Sequence, residues 1–234
     1  MTTSKHSLVR AAARNNAEWC QAMCRSHGLA SEFATNAWTA PTRTPVYYPD
    51  AVTLAPGADR AALLARIDTA SPGSSIKDSF ADLDLTPAGF QVLFEAQWIH
   101  RPAGAPATAT DFAWEVAAEP DALRAWSIAW DGGEGHADLF RPELLEDPDI
   151  FVLAGLSPDD RVVAGAIANR SDAVVGVSNV FAPTGAEAWP GVLDTVHRLF
   201  PRLPVVGYED GDDLAVAVRH GFEPIGPLRV WLHG

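Results

Sequence analysis

Hydrophobic residues recur at three- and four-residue steps across residues 7–28. Val9, Ala12, Ala13, Trp19, Cys20, Met23 and Cys24 share one stripe with Asn16, which predicts an amphipathic helix stopped by His27-Gly28. The spacing then breaks. Residues 39–50, TAPTRTPVYYPD, hold three prolines and are expected to be extended. Ala51 to Leu54 predict a short strand, and Asp59 precedes a helix that turns Leu63, Leu64 and Ile67 inward. Residues 90–99, FQVLFEAQWI, are rich in aromatic and branched side chains and form the strongest strand of this half. Residues 101–110, RPAGAPATAT, carry no periodicity and read as a linker.

The second half is more regular. Strands are predicted at 112–116, 149–156, 162–168 and 173–181, with a helix after Asp121 that carries Leu123, Trp126, Ile128 and Trp130 and ends at Gly132-Gly133. Turns at Pro158-Asp159-Asp160 and Asn169 to Asp172 are short enough for hairpins, so those strands pair antiparallel. Pro190 opens a helix with Val192, Leu193, Val196, Leu199 and Phe200 on its apolar stripe. A buried strand follows at 204–208, then a helix capped within Asp210 to Asp213 that stops at Gly221. The last strand, 222–232, is interrupted by Pro224, Gly226 and Pro227. A strand, a helix and a strand between 173 and 208 require a crossover, hence parallel pairing. The fold class is α/β, with a mixed sheet and helices on its faces.

Composition narrows the function classes. The chain has 234 residues, of which 47% are hydrophobic and 20% charged, so it can build an ordinary core. Lys+Arg 17 minus Asp+Glu 30 gives a net charge of −13, which disfavours nucleic acid and anionic membrane surfaces as partners. No apolar run reaches membrane-spanning length, and the first residues lack the apolar middle of a secretory signal. Cys20 and Cys24 lie on one helix face, poor geometry for a disulfide, and read as small buried side chains of a cytoplasmic protein. Lys5 and Lys77 are the only lysines, which with abundant Ala fits a high-GC bacterial genome.

The segment Val205-Val-Gly-Tyr-Glu-Asp-Gly-Asp-Asp-Leu-Ala-Val-Ala-Val-Arg-His-Gly221-Phe222, together with the element order from 111 to 234, resembles the GNAT superfamily of acyl-CoA N-acyltransferases. The resemblance implies the GNAT fold and transfer of an acyl group from a thioester to a small-molecule or peptide amine. It implies acetyl-CoA or another acyl-CoA as donor and no metal. It also implies that Ser178, Asn179 and Phe181 meet the donor's pantetheine arm, with an oxyanion held by backbone N–H groups near Asn179 to Phe181.

The family's pyrophosphate cradle, Q/R-x-x-G-x-G/A before a helix, falls on Ala186-Glu187-Ala188-Trp189-Pro190-Gly191, where only Gly191 fits. Trp189 is bulky, Glu187 carries a like charge and Pro190 lacks a donor, so this coenzyme A loop is degenerate. The tyrosine that many relatives place on the last helix corresponds to Ala217. Tyr208 and Glu209, at the carboxyl end of a parallel strand, are the remaining proton-handling candidates. The alternative is a non-catalytic pseudoenzyme that binds a ligand or partner.

Ala88-Gly89-Phe90 leading to Trp98-Ile99-His100 echoes His220-Gly221-Phe222 leading to Trp231-Leu232-His233, as a duplicated, degenerate half would. The expected organisation is an N-terminal helical extension over 1–44, a degenerate half over 45–110 packed on the main sheet, and a GNAT-like domain over 111–234. Other chemistry fares worse. Gly176-Val-Ser178-Asn-Val180 lacks the last glycine of a nucleophile elbow. Ser74-Ser-Ile-Lys77 fits S-x-x-K without the partner motif. Cys20, Cys24 and His27 could supply three metal ligands, but an amphipathic helix explains them better. Trp38, Tyr47 and Tyr48 either line a pocket or staple the N-terminal segment to the sheet.

Overall fold

The computed structural model describes residues 4–104 and 112–234. Residues 105–110 of the expected linker lie outside the described residues. The chain divides into two compact units that interleave in sequence. One comprises Met1–Ile99, Tyr208–Ala215 and Pro224–Gly234, the other His100–Gly207 and Val216–Glu223.

The first unit opens with α1 (Lys5–Ser26), whose N-terminus is capped by the Ser4 hydroxyl accepting from the Ser7 amide. Its predicted stripe is buried, Trp19, Met23 and Cys24 almost completely. Strands β1 (Glu32–Phe33), β2 (Ala37–Thr39) and β3 (Ala51–Thr53) pair antiparallel in succession. The Asp59 carboxylate accepts from the Ala62 amide and caps α2 (Arg60–Leu64), as its position before the apolar positions implied. The chain returns as β4 (Ser75–Asp78), parallel to β3. A 3-10 turn, Thr86–Ala88, then leads into β5 (Phe90–Arg101). The final strand, β11 (Glu223–His233), pairs antiparallel with β4: Val230 opposes Lys77 and Leu232 opposes Ser75. Alternate residues Ile76 and Trp231 turn to the opposite face, into a core with Leu63, Ile67, Leu85 and Phe90.

The second unit is built on β6 (Ala113–Val116), β7 (Ile150–Leu156), β8 (Val162–Arg170) and β9 (Val175–Phe181), antiparallel in succession. Helix α4 (Trp189–Leu199) crosses over to β10 (Val205–Glu209), which pairs parallel with β9 through Val205 with Val175 and Val206 with Gly176. Helix α3 (Pro120–Asp131) begins two residues earlier than the sequence suggested, with Glu119 rather than Asp121 at the cap and Pro120 in the first turn. It ends on Gly132 in the left-handed conformation. Trp126 anchors it, its indole donating to the Leu153 carbonyl and packing edge-on to Phe140 and Phe181.

Two expectations are corrected. Residues 39–50 are not extended throughout: Thr39 closes β2, the Tyr48 amide bonds the Pro45 carbonyl, and Tyr47 takes φ +72. β11 is one continuous strand despite Pro224 and Pro227, because its pairing with β4 runs over Arg229 to Leu232, beyond both prolines.

Segments 5–101 and 120–233 both run helix, antiparallel strands, strand–helix–strand with parallel pairing, helical turn, long strand. Before the long strands the hydrogen bonds coincide. Phe90 bonds back to Leu85 and Gly89 to Thr86; Phe222 bonds back to Ala217 and Gly221 to Val218. Gly89 and Gly221 adopt φ +84 and +85, so each turn is a Schellman motif that only glycine closes without strain.

Candidate functional site

In the first unit, one face of the β4–β11 pair floors a cavity of about 670 Å³. Ser75 and Lys77 come from β4, Val230 and Leu232 from β11, and all four share that face by the period-2 rule. The wall is the segment 43–49, including Tyr47 and Tyr48, so the aromatic pair singled out in the sequence does line a pocket. Trp38 instead is buried within β2. The wall is pinned by Asp50, a buried carboxylate that accepts from the Thr44 amide and hydroxyl, the Ser74 hydroxyl, the Ser75 amide and the Arg43 guanidinium at 2.8 Å.

Tyr208 lines this cavity too. Its ring stands edge-on to Trp98 and lies 4.1 Å below the Lys77 ammonium. Lys77 is buried, and its Nζ donates to Asn16 Oδ1 at 2.8 Å. Sequence reading missed Lys77 because the S-x-x-K match pointed to a different chemistry. The usable signal was a lone lysine alternating with Ile76 in a strand.

Glu209, next along β10, turns to the opposite face from Tyr208. It is half-buried, and burial, then the nearby carboxylates of Asp213 and Asp210, push its pKa up to about 7. The structure thus separates the two proton-handling candidates: Tyr208 belongs to the cavity, Glu209 to the acidic start of α5 (Gly211–Arg219).

In the second unit, Ser178, Asn179 and Phe181 fall together at a β-bulge. Gly165 opposes Phe181 while Ile167 opposes Ser178, so Asn179 and Val180 face one residue of β8. Asn179 carries the bulge with φ +53, a conformation that asparagine tolerates, and its side chain donates to Ser178 Oγ at 3.0 Å. This explains the polar pair in mid-strand. The Phe181 ring packs edge-on to Trp126. Gly191 lies apart from the bulge, in the first turn of α4.

No protein-family model and no curated protein matches the chain by sequence. Among solved structures, a GCN5-related N-acetyltransferase from Kribbella flavida superposes with a TM-score of 0.64 at 19% identity, covering 95% of each chain. A GNAT-family acetyltransferase structure from Novosphingobium aromaticivorans gives 0.56 at 14% identity, covering 92% of this chain and 96% of that one. The chain has the GNAT fold. A conserved Staphylococcus epidermidis protein of unknown function is also similar, with a TM-score of 0.55 at 12% identity over 74% of this chain and 76% of that one.

The GNAT fold makes the N-terminus of α4 the place to test for a coenzyme A pyrophosphate. The residues there do not fit one. Ala188, Trp189, Pro190 and Gly191 are all buried. Trp189 does not obstruct the loop, as its size suggested, but turns inward against Phe222 at 4.8 Å. Gly191 is filled from the other side, since a Cβ at that position would collide with the Trp114 indole. Glu187 is held by Arg219 at 3.1 Å and His220 at 2.8 Å, and these hydrogen bonds lower its pKa. The helix end that should offer amides to phosphates is packed as core instead. Among the described residues, no group of three or more His, Cys, Asp or Glu side chains is arranged to hold a metal ion, and no helix is long and apolar enough to cross a membrane.

Proposed function

We propose that this protein is an N-acyltransferase that takes its acyl group from a thioester without anchoring a pyrophosphate at α4. The observation that carries the reading is Glu209, a carboxyl group at a strand end with a pKa near 7. A base of that strength accepts a proton from an ammonium at neutral pH and returns it readily. The acidic residues around it, Asp210, Asp212 and Asp213, favour a cationic acceptor. Once Glu209 has taken the proton, the amine nitrogen can attack the thioester carbonyl. The C–N bond forms, the C–S bond breaks, the nitrogen's second proton goes to the departing sulfur so that a thiol leaves, and Glu209 releases its proton to solvent. For the donor's pantetheine arm the proposed contacts are Ser178, Asn179 and Phe181, at the bulge where Asn179 and Val180 share one residue of β8. Tyr208 is not needed as a second base. Gly191 serves packing in this reading. A reducing compartment suits the protein, because Cys20 and Cys24 are free, buried thiols.

A second reading, ligand binding without catalysis, is favoured by the packed start of α4. One assay separates the two: thiol release from acetyl-CoA and from S-acetyl-N-acetylcysteamine, a short thioester without the nucleotide, with a panel of polyamines and lysine peptides as acceptors. The enzyme reading expects release from both donors at comparable kcat/KM, an acid limb near pH 7 and a loss of roughly 10²–10⁴ in kcat in Glu209→Gln. Release no faster than in buffer with every pair would establish the non-catalytic reading.

A further inference from the structure

The cavity on the β4–β11 face holds a cation that nothing in the proposed acyl transfer uses. Lys77 is only 4% exposed, yet among the described residues no carboxylate pairs with it. Its ammonium has three donors, one of which is spent on Asn16, and one face of the charge rests on the Tyr208 ring. A neutral amide and an aromatic face compensate a buried ammonium only in part, so the site is set up for an anion. The other cation lining the cavity, Arg43, is neutralised by Asp50 and further occupied by the Ser71 carbonyl at 3.1 Å. The cavity therefore presents one net positive charge. Its remaining wall is largely apolar and aromatic: Pro45, Val46, Tyr47, Leu93, Phe94 and Val230. A volume near 670 Å³ is in the range of small-molecule sites.

We propose that this cavity is a binding site for a small monoanionic carboxylate with an aromatic or apolar body, its carboxylate taken by Lys77 and its body packed between the Tyr47–Tyr48 wall and the β11 floor. One uncompensated charge suits a monoanion. A phosphate monoester would bring a second negative charge into a chain whose net charge is already −13. The site does not depend on acyl transfer, because Glu209 faces away from it.

The test is equilibrium binding with no acyl donor present, by calorimetry and ligand-observed NMR, using phenylacetate, indole-3-acetate, phenyl phosphate and the neutral isostere phenylacetamide. The carboxylates should bind, tenfold or more tighter than phenylacetamide and tighter than phenyl phosphate. Lys77→Met should lose that preference, and Lys77→Arg should keep part of it. Equal binding of phenylacetate and phenylacetamide, tighter binding of phenyl phosphate, or no carboxylate binding at millimolar concentration would each overturn the proposal. Should Lys77→Met fail to fold, the comparison of phenylacetate with its amide on the wild-type protein still decides. Thiol release in the acyl-transfer assay is read separately, so failure of one proposal leaves the other standing.

Discussion

A side chain at position 191 would have to displace the half-buried indole of Trp114, which also lies against Gly155. Gly191→Ala is therefore expected to destabilise by about 1–3 kcal/mol, lowering the melting temperature by several degrees. An unchanged melt would mean that the glycine is free of Trp114. Glu209 carries a pH-dependent cost instead. Its folded pKa, about 7, lies above the ordinary glutamate value of 4.5, so the folded state binds the extra proton between those values. Its contribution is favourable below about pH 4.5 and is lost as pH rises through about 7. Glu209→Gln should raise stability at pH 8 by roughly 2–3 kcal/mol and leave it nearly unchanged at pH 4, measured by denaturant titration at both pH values. A mutant equally stable or less stable at pH 8 would show that the carboxyl is solvated.

At the scale of elements, the two Schellman turns give a matched test. Gly89→Ala and Gly221→Ala each force a positive φ on alanine and should each cost about 1 kcal/mol. Gly89→Ala should cost more, because its Cβ would also press on the His233 ring at 3.1 Å. Thermal melts of the two variants check the order. What was legible in the sequence follows the strength of each local signal. The β9–α4–β10 crossover was readable because Val175–Phe181 and Val205–Glu209 flank an amphipathic helix with proline in its first turn. The strands β1, β2 and β4, of 2, 3 and 4 residues, are too short to show a period. The cavity was not legible for a related reason: Lys77, Tyr208 and the 43–49 wall come from segments far apart in the chain, and no local pattern records their meeting. Tyr208 and Glu209 were found as residues, but the alternation that sends them to opposite faces was not applied to them.

In the whole molecule, the last strand of the chain completes the unit to which the first residues belong. A fragment of residues 111–234 therefore leaves β11 without β4, and its apolar positions Leu228, Val230 and Trp231 without their core. This fragment should be insoluble or lack a cooperative melt, and a sharp two-state transition near that of the full chain would contradict the interleaved arrangement. The central claim is that the chain has the GNAT fold while the start of α4, with Ala188 to Gly191 buried and Glu187 tied to Arg219 and His220, does not fit a pyrophosphate. Several charge-assisted hydrogen bonds are then missing, each of which contributes about 1.5–3 kcal/mol to binding a diphosphate. Calorimetric titration with acetyl-CoA measures the consequence directly. The packed helix end predicts a dissociation constant no tighter than about millimolar; a low micromolar constant would mean that α4 does present a working cradle.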